Sequence, residues 1–458
     1  MKELLLQDVL SVIEGKVVRG NPAQTIKSVA SYDDHVITDH TLVFIKKKRK
    51  SFPLPQHTNS VIVVTSNPAK LKGVKEDTTV VVVENVKKAY FNFVDYYRNL
   101  FTLPVIGVTG TCGKTTTKEM ISWILSKEHK VVSTIKSKNG LKRNLDYLMN
   151  MDETTDHAVF EMGVSGPNQL LYSAHYFKPQ IGIITTIGTD HIEGFKSQDA
   201  YIREKASMIS AVKNGTMILN SDDKISKELD LKSFKGNVVY VGTDASAHFR
   251  GHSISFNHEK AGMDFVLSYK GGNYPCFVPG YGSHNVYNAL AALAATSLVG
   301  VSLKEAINRL QTFKHIERHL QFHDGFRGSL IIDDTWNTNP TSIQAALEVL
   351  RETAKGRKKV AIIGEIEELG QYSVAEHEKV GELVVNYDVD VLITIGHQSK
   401  PVCRKAVEMG MDPSAVYTIN DKNSLLKLLL QVIDSNTAVL FKTSMRRSFK
   451  DVMKKLIK

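Results

Sequence analysis

Residues 105–126 constrain the fold more than any other stretch of the chain. Val105-Ile106-Gly107-Val108 reads as a buried strand, Gly110-Thr111-Cys112-Gly113-Lys114-Thr115-Thr116 as a tight loop, and Thr115 to Ser126 as a helix. A strand that passes through a glycine-rich turn into a helix is the opening of a phosphate cradle. Glycines let backbone N–H groups turn inward, and the helix N-terminus adds positive potential. In such a cradle Lys114 reaches the terminal phosphates and the Thr115 hydroxyl binds Mg²⁺. The strict pattern G-x-x-x-x-G-K-[ST] asks for glycine at 108, where Val108 stands, with Gly107 one residue early. The core G-T-x-G-K-T-T is intact. Cys112 reads either as a thiol of low pKa at a helix N-terminus or as a small residue at a variable loop position.

The rest of the chain supplies the sheets around this loop. Its 458 residues suggest about three domains. Residues 1–100 mix helices with short Val/Ile runs such as Ser60–Val64 and Thr79–Val83, the composition of parallel strands buried on both faces. Residues 101–315 alternate strands (His157–Glu161, Ile181–Thr186) with helices, which predicts a doubly wound α/β sheet. Residues 240–278 look instead like an antiparallel patch at a sheet edge, followed by an Ala-rich helix from Asn285 to Leu298. Residues 316–458 alternate again, with strands at 330–333, 360–364, 391–395 and 438–441, and form a second domain of Rossmann type without the full dinucleotide fingerprint. The fold class expected is therefore α/β in three domains: a small N-terminal α/β domain, a central P-loop domain and a C-terminal Rossmann-like domain.

Composition narrows the partners. No run approaches the roughly 20 apolar residues of a membrane helix, and Met1–Val9 is broken early by polar groups, as in an amphipathic helix. The three scattered cysteines suggest reduced thiols in a cytoplasmic protein. The net charge of +10 suits an anionic small-molecule partner. The densest basic run, Lys46–Lys50, has no interleaved aromatic residues, so neither nucleic acid nor an integral membrane contact is expected. His315, His319 and His323 are spaced as a helical metal face, yet 320–325 with 329–332 reads as a β-hairpin that would scatter them.

Further segments carry a resemblance. Gly107–Thr117 resembles the ATP loop of the Mur ligases, the amide-forming enzymes of peptidoglycan precursor synthesis. Glu161-Met162-Gly163 resembles that family's acidic strand end, and Thr189–Phe195 its metal-histidine segment, with Lys205 fourteen residues after His191. Gly282–Ala292 is similar to its adenine-binding helix start. Asp333–Pro340 and Gly364–Gly370, with His377 following, resemble one branch, the ligases that act on UDP-N-acetylmuramoyl-tripeptide and D-alanyl-D-alanine.

The resemblance implies an ATP- and Mg²⁺-dependent carboxylate–amine ligase working through an acyl phosphate. It implies that Gly110, Thr111, Cys112, Gly113, Lys114, Thr115 and Thr116 hold phosphates and that Asn285 and Asn288 hold adenine. Arg318 would approach the phosphates and Asp334 the ribose. Thr115, Glu161, His191 and Lys205 would hold Mg²⁺, Lys205 as a CO₂ carbamate. Lys114, Lys205, His191 and Arg318 would serve catalysis. Taken alone, Glu161 reads as a strand-end charge, His191 as a structural or surface residue, Lys205 as a solvated helix lysine and Asn285 as a helix N-cap. Some positions depart from the branch pattern. Ser31-Tyr32-Asp33-Asp34 and Ser51-Phe52-Pro53-Leu54-Pro55 replace its nucleotide-sugar signatures, 137–144 blurs an asparagine-rich segment, Trp336 replaces a tyrosine, and Lys442-Thr443-Ser444 replaces Lys-Gly-Ser. A paralogue joining another carboxylate and amine is the neighbouring reading. A nucleotide-binding regulator without catalysis is the alternative from another class.

Overall fold

The computed structural model describes residues 1–31, 36–45, 58–71, 74–140, 145–446 and 448–457. Residues 32–34, the basic run 46–50, the segment 51–55 and residues 141–144 lie outside the described residues. The chain divides into two compact units. One comprises Met1–Val105, Glu128–Val159 and Tyr172–Lys178, the other Ile106–Lys127, Phe160–Leu171 and Pro179–Lys458.

In the first unit, five strands pair in the order Lys16–Arg19, Thr79–Val82, Ile62–Thr65, Thr41–Phe44, Ser28–Ala30. All pairs are parallel except the first, as the Val/Ile runs predict. Asn85 caps the helix Val86–Asn99, accepting the N–H groups of Lys87 and Lys88. Its buried face sets Tyr90 and Phe93 against Phe44, at ring separations of 5.4 and 6.0 Å. The N-terminus differs from the expected single helix. Leu4–Leu5 pairs as a strand with Thr25–Ile26, and only Leu6–Leu10 is helical.

The central sheet has nine strands, ordered Gly272–Pro279, Gly262–Tyr269, Phe249–Asn257, Asn237–Gly242, Thr216–Asn220, Ile181–Ile184, Val105–Thr109, His157–Glu161, Val131–Ser133. The three strands from Phe249 to Pro279 are the antiparallel edge read from the sequence. Strand order reverses direction around Val105–Thr109, so the loop that follows sits at a topological switch point, where open α/β sheets hold ligands.

In the second unit a further six-stranded sheet runs Gln321–Asp324, Leu330–Asp334, Thr437–Lys442, Lys358–Gly364, Val391–Ile395, Val416–Ile419, parallel apart from the first pair. Alternate residues of its strands feed two cores. Ile332, Ile363 and Leu440 face one set of helices, and Ile331, Ile362 and Phe441 face the other. Among the described residues no helix is long and apolar enough to cross a membrane.

Candidate active site

The glycine-rich loop is held by its own hydrogen bonds. Gly110 has φ +141° and Gly113 φ +80°, and the helix Lys114–Leu125 starts directly after Gly113 with no side-chain cap. Its first-turn N–H groups are thus left to an anion. Thr111 N–H donates to the Thr186 carbonyl at 2.7 Å, and Thr185 Oγ1 donates to the Cys112 carbonyl at 2.5 Å. Thr111 Oγ1 accepts Gly188 N–H at 2.8 Å and lies 2.9 Å from Tyr201 Oη. Lys114 Nζ folds back to the Thr111 carbonyl at 2.9 Å. Thr116 lies in the first helical turn.

A Cβ on Gly113 would stand 2.3 Å from Asn288 Oδ1, and one on Gly110 2.0 Å from Thr185 Oγ1. The cradle tolerates only glycine at both. Gly113→Ala should displace the loop, raise KM for ATP by about 100-fold, as a shift near 1 Å can, and cost about 1–2 kcal/mol of backbone strain. Initial-rate kinetics and thermal melts check both.

Beside the loop is a buried polar corner. Thr115 Oγ1 donates to Glu161 Oε2 at 2.8 Å, and Glu161 is only 1% exposed. Thr115 and Glu161 offer two hard oxygens of the kind Mg²⁺ takes, while among the described residues no three His, Cys, Asp or Glu side chains cluster as a metal site. Lys205, on the helix Gln198–Val212, is also 1% exposed, so it is not a solvated helix lysine. Its Nζ lies 3.5 Å from Thr109 Oγ1 and 5.2 Å from the Tyr201 ring centroid. Burial lowers its pKa to about 7, helped by the Lys114 charge and opposed by Asp190, Glu204 and Glu161. A neutral buried amine is a nucleophile towards CO₂, so Lys205 fits the carbamate reading.

Cys112 departs from the reactive-thiol expectation. Burial pushes its pKa up to about 11, outweighing the Lys114 charge. Its Sγ–H donates to Asn339 Oδ1 at 3.2 Å.

The Ala-rich helix spans Ser283–Leu298 with Gly282 at its cap. Asn285 is therefore in the first turn and is not the N-cap. Its Nδ2 donates to the Tyr281 carbonyl at 3.1 Å, while Asn288 Oδ1 accepts from Thr117 Oγ1 at 3.2 Å. Asn288 thereby ties this helix to the loop helix.

The six-stranded sheet brings the remaining residues. Asp334 is paired with Lys442 at 2.8 Å, both nearly buried. Arg318 Nε donates to Thr335 Oγ1 at 2.8 Å, and its guanidinium lies 5.6 Å from the Trp336 ring centroid. His319 stacks on that ring at 5.5 Å. His315 Nε2 meets the His319 carbonyl, while His323 sits in the strand Gln321–Asp324, as the hairpin reading requires.

His191 has φ +53°, with Nε2 3.8 Å from Asp190 Oδ2 and Nδ1 hydrogen-bonded to Glu368. Glu368 also accepts from Arg446. Burial raises its carboxyl pKa, but Arg446 and His191 outweigh that and hold it below the usual range.

Several site neighbours had no signal of their own in the sequence. Asp190, Asn339 and Glu368 lie inside segments noted for other residues, and Tyr201 and Arg446 lie outside them. Asn339 caps the helix Pro340–Thr353 in a capping box with Ser342, accepts the Cys112 thiol and donates to Asp190 at 3.5 Å. Only the N-x-x-S capping pattern was readable locally.

The Mur ligase middle domain matches residues 108–296, and the Mur ligase glutamate ligase domain matches residues 318–445. The UDP-N-acetylmuramoyl-tripeptide–D-alanyl-D-alanine ligase of Bacillus subtilis (strain 168) is 25% identical over 457 residues, 99% of this chain and 98% of its own. Crystalline MurF from Acinetobacter baumannii shares the fold with a TM-score of 0.84 at 23% identity, over 99% of this chain and 98% of that one. MurF ligase from Thermotoga maritima, solved in complex with ADP, gives 0.73 at 21% identity, over 87% and 88%. With both domain models matched in order along one continuous chain, this protein belongs to the Mur ligase family.

Proposed function

We propose that the protein joins D-alanyl-D-alanine to UDP-N-acetylmuramoyl-tripeptide at the expense of ATP. The observation that carries the chemistry is the buried corner in which Lys205 feels the charges of Lys114 and Glu161 beside a glycine-only cradle. The choice of substrates rests on the full-length likeness to the Bacillus subtilis ligase.

In this reading a carboxylate oxygen of the tripeptide attacks the γ-phosphorus, and the bond to ADP breaks. The dipeptide amine then attacks the acyl carbon, phosphate departs with the C–O electron pair, and the amine loses a proton. Positioning and charge neutralisation dominate such a transfer. Lys114 swings from the Thr111 carbonyl to the terminal phosphates, and the N–H groups of 110–116 cradle them. Asn285 and Asn288 hold adenine, Asp334 the ribose, and Arg318 the phosphates. Thr115, Glu161, His191 and carbamylated Lys205 are the residues that would hold Mg²⁺. When bound, Mg²⁺ supplies neutralisation of the charge that develops on the transferred phosphoryl group. Arg318, Asp334 and Asn339 come from the C-terminal segment 316–458 and help exclude water from a hydrolysable intermediate.

We divide the labour as acceptor binding in residues 1–100, ATP binding in 101–315, and amine binding with closure in 316–458. Cys112, Cys276 and Cys403 are free thiols, which supports a reducing, cytoplasmic setting.

The test is ADP release with both substrates present. Release that requires both the nucleotide-sugar tripeptide and D-alanyl-D-alanine is expected. Release with neither these nor any pair from a broad acid and amine panel would replace the ligase with a nucleotide-binding regulator. Release with a different pair would make the chain a paralogue.

A further inference from the structure

His191 meets its hydrogen-bond partner across two sheets. It follows the central strand Ile181–Ile184, whereas Glu368 follows Lys358–Gly364 in the six-stranded sheet. The Glu368 loop is firmly anchored. Ile366 and Leu369 are each 1% exposed. His377, fully buried, accepts Ile366 N–H on Nε2 at 3.2 Å while its Nδ1 meets the Ser373 carbonyl at 2.7 Å. Thr338 Oγ1 donates to the Glu365 carbonyl at 3.0 Å. Glu368 projects from this base with a left-handed backbone, φ +60°.

Two contacts tie it to the His191 segment, and a third ties it to Arg446. The Glu368 carbonyl accepts Glu193 N–H at 2.9 Å, one carboxylate oxygen meets His191 Nδ1, and the other accepts from Arg446. Arg446 also pairs with Glu367 at 2.9 Å. A ring nitrogen hydrogen-bonded to a carboxylate carries the proton, whereas Asp190 Oδ2, 3.8 Å from Nε2, is beyond hydrogen-bond reach. His191 Nδ1–H therefore donates to Glu368, which leaves the Nε2 lone pair on the Asp190 side. A carboxylate behind an imidazole fixes both its tautomer and its aim. Here that carboxylate arrives only when the C-terminal sheet is docked.

The geometry points to Glu368 as the positioning residue that couples docking of the C-terminal sheet to the tautomer and aim of His191, with Arg446 holding Glu368 in place. The inference rests on the proposed role of His191 in the ligase reaction. It does not require knowing which carboxylate is the substrate.

Full-length protein labelled with ¹⁵N-histidine provides the test. Two-bond ¹H–¹⁵N spectra read the tautomer, and His191→Asn identifies the resonance. Glu368→Gly deletes the carboxylate at a backbone position that glycine favours, so the loop should persist. Glu368→Gln keeps an oxygen that can accept from Nδ1–H. Wild type and Glu368→Gln should show the Nδ1–H pattern, and Glu368→Gly should show mixed tautomers. In Glu368→Gly kcat should fall about 10–100-fold, the range for a lost outer-shell partner, while KM for ATP changes less than about threefold. Arg446→Ala should give an intermediate loss.

An unchanged His191 pattern in Glu368→Gly overturns the inference. So does equal loss of turnover in Glu368→Gln and Glu368→Gly, or turnover in Glu368→Gly within about twofold of wild type. If wild type turns over no substrate pair, the functional reading fails instead, and the spectra still decide whether Glu368 sets the tautomer.

Discussion

Lys114→Ala should abolish ADP release, with a loss on the order of 10³–10⁵-fold, as when a transition-state cation is removed from a phosphoryl transfer. The fold should remain. Lys114 is only half-buried and its Nζ bonds a single loop carbonyl, so the stability change should stay within about 0.5 kcal/mol. A coupled ADP assay and a thermal melt test the two halves. Full activity in Lys114→Ala would sink the phosphate-anchor assignment and the mechanism built on it. The same change should also raise the pKa of Lys205, because the Lys114 charge is the second cause, after burial, of its depression.

Lys205→Met should separate activity from stability. Removing the buried amine should cost on the order of 10²–10³ in kcat, comparable to losing one preorganised charged group. Yet the protein should become more stable in CO₂-depleted buffer, because methionine fills a similar volume without a charge to desolvate. The pH dependence has a definite sign. The folded pKa of about 7 lies below the ordinary 10.5, so the unfolded chain binds more protons between those values and stability rises with pH across that window. Below about pH 7 the amine is charged in both states and its burial cost is fully present. The stabilising effect of Lys205→Met, on the order of a few kcal/mol, should therefore be larger at pH 6 than at pH 9. Denaturant melts at the two pH values measure it. A variant that is less stable than wild type at pH 6 would mean that the Glu161, Asp190 and Glu204 charges outweigh desolvation.

The elements that the sequence delivered are those with a strong local signature. The strand and helix around the loop were expected at 105–108 and 115–126 and occur at Val105–Thr109 and Lys114–Leu125. The strand Val391–Ile395 matches residue for residue, and the antiparallel edge lies where short alternating runs and the Gly271-Gly272 turn put it. The misses have local causes. The first residues split into a strand and a short helix because Leu4–Leu5 found a partner in Thr25–Ile26, a tertiary pairing that helical periodicity cannot see. Asn285 was a plausible cap by residue type, but the helix starts two residues earlier, after Gly282. Of the two readings of Cys112, the small loop residue fits and the reactive thiol does not, because burial outweighs the Lys114 charge and raises its pKa.

By itself the sequence determined the α/β class, the order of strands and helices, the phosphate loop and the family. The first three follow from residue spacing within about 20 positions, where backbone geometry links sequence to local structure, and the family from the resemblance of several motifs in order between residues 105 and about 380. Tertiary structure decided the chemical state of the site. Lys205 looks like any helix lysine until the Thr109 strand and Tyr201 enclose it and take its water away. His191 acquires a defined partner only because Glu368, 177 positions along the chain, is brought against it. Burial and long-range pairing set charge and tautomer, and both depend on which surfaces meet in space, a property that no local stretch of sequence contains.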